Sequence, residues 1–144
     1  MTQTGVVTLE NGNEIRIEFY QADAPKTVEN FVTVAKKGFY DNLTFHRVVP
    51  DFVVQGGCPK GDGTGGPGHT VKAEFNKQNH VRGSVAMARS QHPDSAGSQF
   101  YITYGATPHL DGNYTVFGHV MSGMEHVDRI KQGDRMKTVA IVDQ

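Results

Sequence analysis

Residues 45–57 read FHRVVPDFVVQGG and predict two short strands on either side of a turn. A proline–aspartate pair separates the two apolar runs, and such pairs are typical of turns. Side chains alternate between the two faces of a strand, so Arg47 is expected to share a face with Phe45 and Val49. An arginine there requires a partner or a cleft, because an unpaired buried charge is costly. A guanidinium held beside apolar side chains and the Gln55 amide suits an uncharged peptide.

Composition limits the class of protein. The 144 residues are enough for one hydrophobic core, and we expect a single domain over residues 1–144. The formal net charge of −1 disfavours a nucleic-acid binder, which normally has a basic surface. No apolar run approaches the ~20 residues of a membrane span, and residues 1–5 lack the features of a secretory signal. We therefore expect a cytoplasmic protein that binds no membrane, and a monomer.

The rest of the chain predicts a mainly β fold with two helices. Apolar alternation and turn residues predict strands at residues 6–9, 15–20, 44–49, 52–55, 84–88, 100–103, 115–121 and 137–142. Helical spacing predicts a helix over residues 26–37, and a capping box at 122–125 predicts the start of a second. The glycine-rich residues 56–83 predict a long functional loop, with a short strand near residues 71–74. Eight strands of this kind can close into a barrel, which removes exposed edges.

Several motifs resemble those of the cyclophilins, the cyclosporin-binding type of peptidyl-prolyl cis-trans isomerase. They occur in the family's order and cover residues 5–142. The motifs are FHR at 45–47, GTGG at 63–66, MA at 87–88, GSQFYI at 97–102, LDG at 110–112 and VFG at 116–118. The resemblance implies an eight-stranded antiparallel closed β-barrel capped by two α-helices. It also implies an isomerase that accelerates rotation about X-Pro bonds in proline-containing peptides and unfolded proteins.

The resemblance also implies which residues form the site. Arg47 and Gln55 match the catalytic positions of the family. The positions expected to bind substrate are Phe52, Val53, Gly63, Ala88, Arg89, Gln99, Tyr101, His109, Leu110 and Tyr114. Strand alternation independently places Gln99 and Tyr101 on one face and their apolar neighbours on the other. Without the resemblance, Arg47 could pair with a carboxylate, Gln55 could cap a turn, and the apolar residues could be ordinary core.

The chemistry of prolyl isomerisation fits these residues. Rotation about a peptide bond faces a barrier of about 18–20 kcal/mol, because the nitrogen lone pair is delocalised. No bond is broken, so neither a cofactor nor a metal is expected, and the histidines lack zinc-site spacing. We interpret four of them, His46, His69, His80 and His92, as surface or locally hydrogen-bonded groups. A cationic donor such as Arg47 would favour the twisted amide, whose nitrogen regains its lone pair.

Four positions depart from the pattern of many eukaryotic cyclophilins. His109 stands where those proteins have the tryptophan that hydrogen-bonds cyclosporin, so we expect weakened cyclosporin affinity. Tyr114 replaces histidine, Tyr101 replaces phenylalanine and Arg89 replaces asparagine. These departures resemble bacterial cyclophilins. The pocket should remain aromatic while gaining hydroxyl groups.

Two other functions remain open from the sequence. A proline-binding or chaperone module could use the same groove with little turnover, and a structural barrel could serve only as an interaction surface. An intact Arg47 favours the enzyme, because a pure binder has no need of a transition-state donor. Turnover of a peptide separates the enzyme from both alternatives.

Overall fold

The computed structural model describes residues 3–143. Its strands are β1 (Gln3–Leu9), β2 (Glu14–Phe19), β3 (Arg47–Val49), β4 (Val53–Gly56), β5 (Ser84–Met87), β6 (Phe100–Thr103), β7 (Val116–Ser122) and β8 (Met136–Asp143). The helices are α1 (Pro25–Lys36) and α2 (Met124–Val127), and a 3₁₀ turn covers Pro108–Leu110. Within residues 3–143, no helix is both long enough and apolar enough to cross a bilayer.

All eight strands form one antiparallel sheet in the order β3-β4-β6-β5-β7-β2-β1-β8. The mainly β fold and the strand count are thus confirmed, but complete closure is not. The edge strands β3 and β8 do not pair with each other along their length. The connection between the two edges is an isolated bridge between Thr44 and Arg135, just outside both strands. The sheet is therefore a curled half-barrel that backbone contacts join at one end.

The same connection explains why Phe45 does not share a face with Arg47. Residues 45 and 46 precede β3, and the Phe45 N–H donates to the Asp134 carbonyl over 2.8 Å. Phe45 is fully buried in the main core, whereas Arg47 is exposed. The expectation failed because strand alternation applies only within β3.

Helix α1 packs its apolar stripe into the main core, which confirms the predicted helix at 26–37. Pro25 occupies the first turn, where a missing N–H costs nothing. Phe31 is fully buried, and its ring lies 5.2–5.6 Å from four other aromatic rings. Those rings belong to Phe19, Tyr40, Phe100 and Phe117. This aromatic cluster holds β6 and β7 in place from the core side.

The second helix does not begin with the predicted capping box. Ser122 is the last residue of β7, and α2 ends at Val127. Gly123 precedes α2 with a φ of 91°, and a Cβ there would collide with the Glu14 carbonyl oxygen. Strand β7 therefore continues through the position that was expected to cap the helix, and a left-handed glycine makes the turn.

The long loop between β4 and β5 is held by side-chain hydrogen bonds. The predicted strand near 71–74 is reduced to a single bridge between Val71 and Ala96. The Glu74 carboxylate accepts hydrogen bonds from the backbone N–H and hydroxyl of Thr27, over 2.7 and 2.8 Å. Glu74 therefore caps the N-terminus of α1, where backbone N–H groups have no helical partner.

Glu74→Ala should lower the free energy of unfolding by about 1 kcal/mol, the usual cost of a lost N-terminal cap. Urea denaturation followed by circular dichroism measures the change. Glu10→Ala is the matched control, because Glu10 is an exposed carboxylate in the β1–β2 turn. Equal unfolding midpoints for the two variants would show that Glu74 does not stabilise α1.

Candidate active site

The face of the sheet opposite the main core carries a second, smaller apolar cluster. Its buried members are Val53 of β4, Ala86 of β5, Tyr101 of β6 and Val116 of β7. The neighbours of Tyr101 in β6 lie in the main core, as the alternation predicted. One strand thus contributes to the core through one face and to a surface cavity through the other.

A cavity of about 180 Å³ opens above this cluster. All of its lining residues belong to the predicted site. They are Arg47, Phe52, Val53, Gln55, Ala88, Arg89, Tyr101, Leu110 and Tyr114. The walls combine aromatic and aliphatic side chains with two arginines and an amide, and such a mixture of apolar and polar groups is usual for a small-ligand site.

Arg47 reaches this cavity because of the strand register. Arg47 lies opposite Gln55, which lies opposite Tyr101, so the three form a row across β3, β4 and β6. The Arg47 guanidinium donates to Gln55 Oε1 over 3.3 Å, and its carbon lies 6.0 Å from the centre of the Phe52 ring. Among the described residues, no carboxylate pairs with Arg47. Most of its five N–H donors therefore have no acceptor within the described chain.

A chain of amide hydrogen bonds fixes the orientation of Gln55. Gln55 Nε2 donates to Gln99 Oε1 over 3.1 Å. Gln99 Nε2 in turn donates to the carbonyls of Gly63 and Gly65, both over 2.9 Å. Two carbonyls can only accept, so they set the Gln99 amide, which sets Gln55 and turns Gln55 Oε1 toward Arg47. Both ends of the Gln99 side chain are thus engaged by the protein.

Gly63 and Gln99 line a neighbouring cavity of about 290 Å³. It shares Gln55, Ala88 and Arg89 with the smaller cavity. Gly63 and Gln99, which do not line the smaller cavity, therefore lie directly beside it.

His109 lies at the rim and lines neither cavity. It is exposed on the 3₁₀ turn, and its ring stacks on Phe52 with centroids 5.6 Å apart. The structure therefore brings eleven of the twelve predicted residues to the two cavities, and the twelfth covers the outer side of Phe52.

Arg89 lines the smaller cavity, and backbone carbonyls accept hydrogen bonds from its guanidinium. Its guanidinium carbon lies 4.4 Å from the centre of the Tyr114 ring, a cation–π distance. It donates to three carbonyls, at 2.6 Å to Asn113, 2.9 Å to Ser90 and 3.2 Å to Gln91. Of the two arginines that line the smaller cavity, Arg47 is therefore the one with more donors left without a protein acceptor in the described chain.

His80 and Asp111 form a part of the site that sequence reasoning missed. His80 is only 1% exposed, so its interpretation as a surface group was wrong and that as a hydrogen-bonded group was right. Its Nε2 lies 2.7 Å from the Tyr101 hydroxyl, and its Nδ1 lies 2.9 Å from Asp111 Oδ1. Nothing local in the sequence signals a contact between residues 80 and 111.

Burial sets the ionisation of this group. It lowers the pKa of His80 below its usual range, although the hydrogen bond with Asp111 opposes the shift. The backbone N–H of His80 and then its ring hold the pKa of Asp111 below its ordinary value. Burial also raises the pKa of Tyr101. At neutral pH, Asp111 is therefore a carboxylate, His80 is neutral and Tyr101 keeps its proton.

Comparison with known proteins finds one family over almost the whole chain. The family model described as cyclophilin type peptidyl-prolyl cis-trans isomerase/CLD matches residues 6–143. Peptidyl-prolyl cis-trans isomerase B of Bacillus subtilis is 51% identical over 141 residues, which cover 96% of this chain and 98% of that protein. A peptidyl-prolyl cis-trans isomerase of Helicobacter pylori strain 26695 is 49% identical, with 96% and 88% covered.

Solved structures agree with the sequence comparison. A cyclophilin type peptidyl-prolyl cis-trans isomerase of Cryptosporidium parvum superposes with a TM-score of 0.92 at 28% identity, covering 100% of this chain and 99% of that one. A second structure of that protein, in the presence of the dipeptide Ala-Pro, gives a TM-score of 0.89 at 29% identity, covering 98% and 99%.

Proposed function

This chain belongs to the cyclophilin-type peptidyl-prolyl cis-trans isomerase family, and from this premise we propose that Arg47 and the cavity beside it carry the reaction. The protein is a peptidyl-prolyl cis-trans isomerase, as its relatives are. The observation that supports the site is the row of Arg47, Gln55 and Tyr101 across three paired strands. That row places a cationic donor at the edge of an apolar cavity.

The proposed substrate is an X-Pro segment whose proline ring enters the 180 Å³ cavity. The related structure with Ala-Pro supports a proline-containing ligand. Phe52, Tyr101 and Leu110 offer an apolar, largely preformed surface. A proline ring is rigid, so its binding costs little conformational entropy. The Ala88 N–H already donates to the Gln99 carbonyl over 3.0 Å. The substrate backbone would therefore pair with the carbonyl side of Ala88.

Arg47 acts on the twisted amide rather than on either planar isomer. As the X-Pro bond rotates, the proline nitrogen becomes pyramidal and its lone pair becomes an acceptor. A guanidinium N–H aimed at that nitrogen stabilises the transition state and gains little from the ground states. The hydrogen bond to Gln55 holds the guanidinium before substrate arrives, so no reorganisation is needed during rotation.

The direct test is the cis-to-trans rate of a short Ala-Pro peptide, observed without a coupling protease by exchange NMR. Uncatalysed isomerisation takes roughly 10–100 s at 25 °C, and catalytic amounts of the protein should shorten this time severalfold. Titration with the peptide should shift the resonances of Phe52, Tyr101 and Leu110. Turnover with peptide-induced shifts confined to another face would place the reaction elsewhere.

Segments of unfolded or flexible chains are the substrates that an exposed cavity of this size favours. A single domain, a monomer and a cytoplasmic location stay predictions from the sequence. Sedimentation equilibrium would test the monomer.

Cyclosporin binding is expected to strengthen in His109→Trp. An indole buries more apolar surface than an imidazole and keeps an N–H donor, so affinity should rise about tenfold. The chain has no tryptophan, so the new indole also reports binding by its fluorescence. Phe75→Trp, which places an indole at an exposed loop position, serves as the control. Unchanged affinity in His109→Trp would show that the rim does not limit cyclosporin binding.

A further inference from the structure

We propose that His80 is a positioning residue of the isomerase site: it holds the Tyr101 ring, a wall of the smaller cavity, through a hydrogen bond that Asp111 orients. The proposal rests on the proposed function, since it assumes that this cavity receives the proline. His80 lines neither cavity and acts only through Tyr101.

The proton positions follow from the acceptors. Asp111 Oδ1 accepts the backbone N–H of His80 over 2.6 Å and lies 2.9 Å from His80 Nδ1. A carboxylate can only accept, so Nδ1 carries the ring proton. A neutral imidazole then has a bare Nε2, which lies 2.7 Å from the Tyr101 oxygen. The Tyr101 hydroxyl therefore donates to His80, and each bond in the chain has one direction.

This bond fixes a ring that substrate would touch. Tyr101 is 4% exposed, and its plane lies within 8° of the His80 ring plane. The ring meets Tyr114 edge to face with centroids 5.9 Å apart, and Arg89 lies over the Tyr114 ring. The orientation of Tyr101 therefore also affects Tyr114, another residue that lines the cavity.

Protonation of His80 reverses this arrangement. Both ring nitrogens then donate, so the Tyr101 hydroxyl must turn to accept and its own proton loses its buried partner. The groups facing His80 are Asp111, His109, Tyr101 and the Tyr114 ring edge. Asp111 favours the imidazolium, whereas burial and the charge of His109 oppose it. The ordered cavity is thus present at neutral pH and lost as pH falls through the lowered pKa of His80.

Tyr101→Phe tests the bond, because it removes the hydroxyl and keeps the ring. For the Ala-Pro peptide we expect KM to rise about 3–10-fold with kcat within about twofold, the pattern of lost uniform binding. His80→Phe should raise KM similarly. The double variant should add little, because both changes remove the same hydrogen bond between Tyr101 and His80. His80→Gln keeps a donor and an acceptor, so it should recover most of the loss. Additive effects, or no rescue by glutamine, would overturn the proposal.

Two measurements separate positioning from a merely structural role. The wild-type KM should rise as pH falls through the His80 pKa, and the Tyr101→Phe profile should be flat over that range. His109 is present in both proteins, so it contributes equally to the two profiles. Ring ¹⁵N shifts of wild-type His80 at neutral pH should show a protonated Nδ1 and a bare Nε2. The opposite tautomer would overturn the proposal without any variant.

Arg47→Ala, measured in the same assay, separates this proposal from the proposed function. If Arg47→Ala loses turnover while Tyr101→Phe matches wild type in KM and pH profile, only the role of His80 fails. If Arg47→Ala keeps full turnover, the proposed site itself fails and the role of His80 fails with it.

Discussion

Replacing Arg47 by alanine should lower kcat/KM for an Ala-Pro peptide by about 10²–10³-fold, the usual cost of removing a donor that acts in the transition state. The loss should lie mainly in kcat, because the cavity that is proposed to receive the proline stays intact. Arg47 is exposed and its protein contacts are one long hydrogen bond and the Phe52 ring. The free energy of unfolding should therefore change by no more than about 0.5 kcal/mol.

Two further variants make the Arg47 result specific. Arg47→Lys keeps the charge but loses the planar fork that reaches Gln55 and substrate together, so its rate should lie between wild type and alanine. Arg16→Ala removes another exposed arginine, whose surface partner is Glu14 on β2, and should leave turnover unchanged. Full activity in a folded Arg47→Ala variant would overturn the role of Arg47 and, with it, the proposed site.

Much of the fold follows from patterns that are local in sequence. The strand β6 alternates between core and cavity because its side chains alternate along four residues, and α1 begins where Pro25 and the apolar spacing predict. The open edge of the sheet could not be predicted in this way. It depends on whether residues 42–46 pair with residues 133–136, a contact between segments about ninety positions apart.

In the site, too, some contacts follow from local sequence and others do not. Arg47 and Gln55 stand out within one hairpin, so their proximity follows from local register. The partners of Gln99 and Tyr101 do not, because they come from a loop 34–36 positions earlier and a histidine 21 positions earlier. Sequence reasoning assigned both side chains to substrate. The structure shows that the polar end of each is bound by the protein, which leaves the aromatic face of Tyr101 for a ligand.

The Gln99 contacts link the loop between β4 and β5 to the proposed site. Gly63 and Gly65 belong to that loop, and their carbonyls determine which way the Gln99 amide faces. Gly63 has a φ of 89°, so glycine suits the turn that presents its carbonyl. The loop is thus linked to Arg47 through two glutamines.

Gln99→Glu should lower kcat/KM by about 10–100-fold at neutral pH, since a displacement near 1 Å at a reacting group can cost as much as 10²-fold. The carboxylate would place an acceptor against the two glycine carbonyls. Repulsion from them would move the side chain at position 99 and release Gln55 from its fixed orientation. Gln91→Glu makes the same charge change at an exposed loop position and serves as the control. Stopped-flow or exchange NMR of the Ala-Pro peptide gives both rates.

The decisive measurement for this variant is its kcat relative to wild type at low pH. Once protonated, the carboxyl group introduced by Gln99→Glu regains one O–H donor for a glycine carbonyl and still accepts from Gln55. The carbonyls favour that neutral form, so the kcat of Gln99→Glu relative to wild type should rise as pH falls. The His80 titration acts on KM in both proteins, so it does not produce this change in relative kcat. A ratio that stays constant with pH would mean that the glycine carbonyls do not orient Gln99, and that Arg47 is positioned by Gln55 alone.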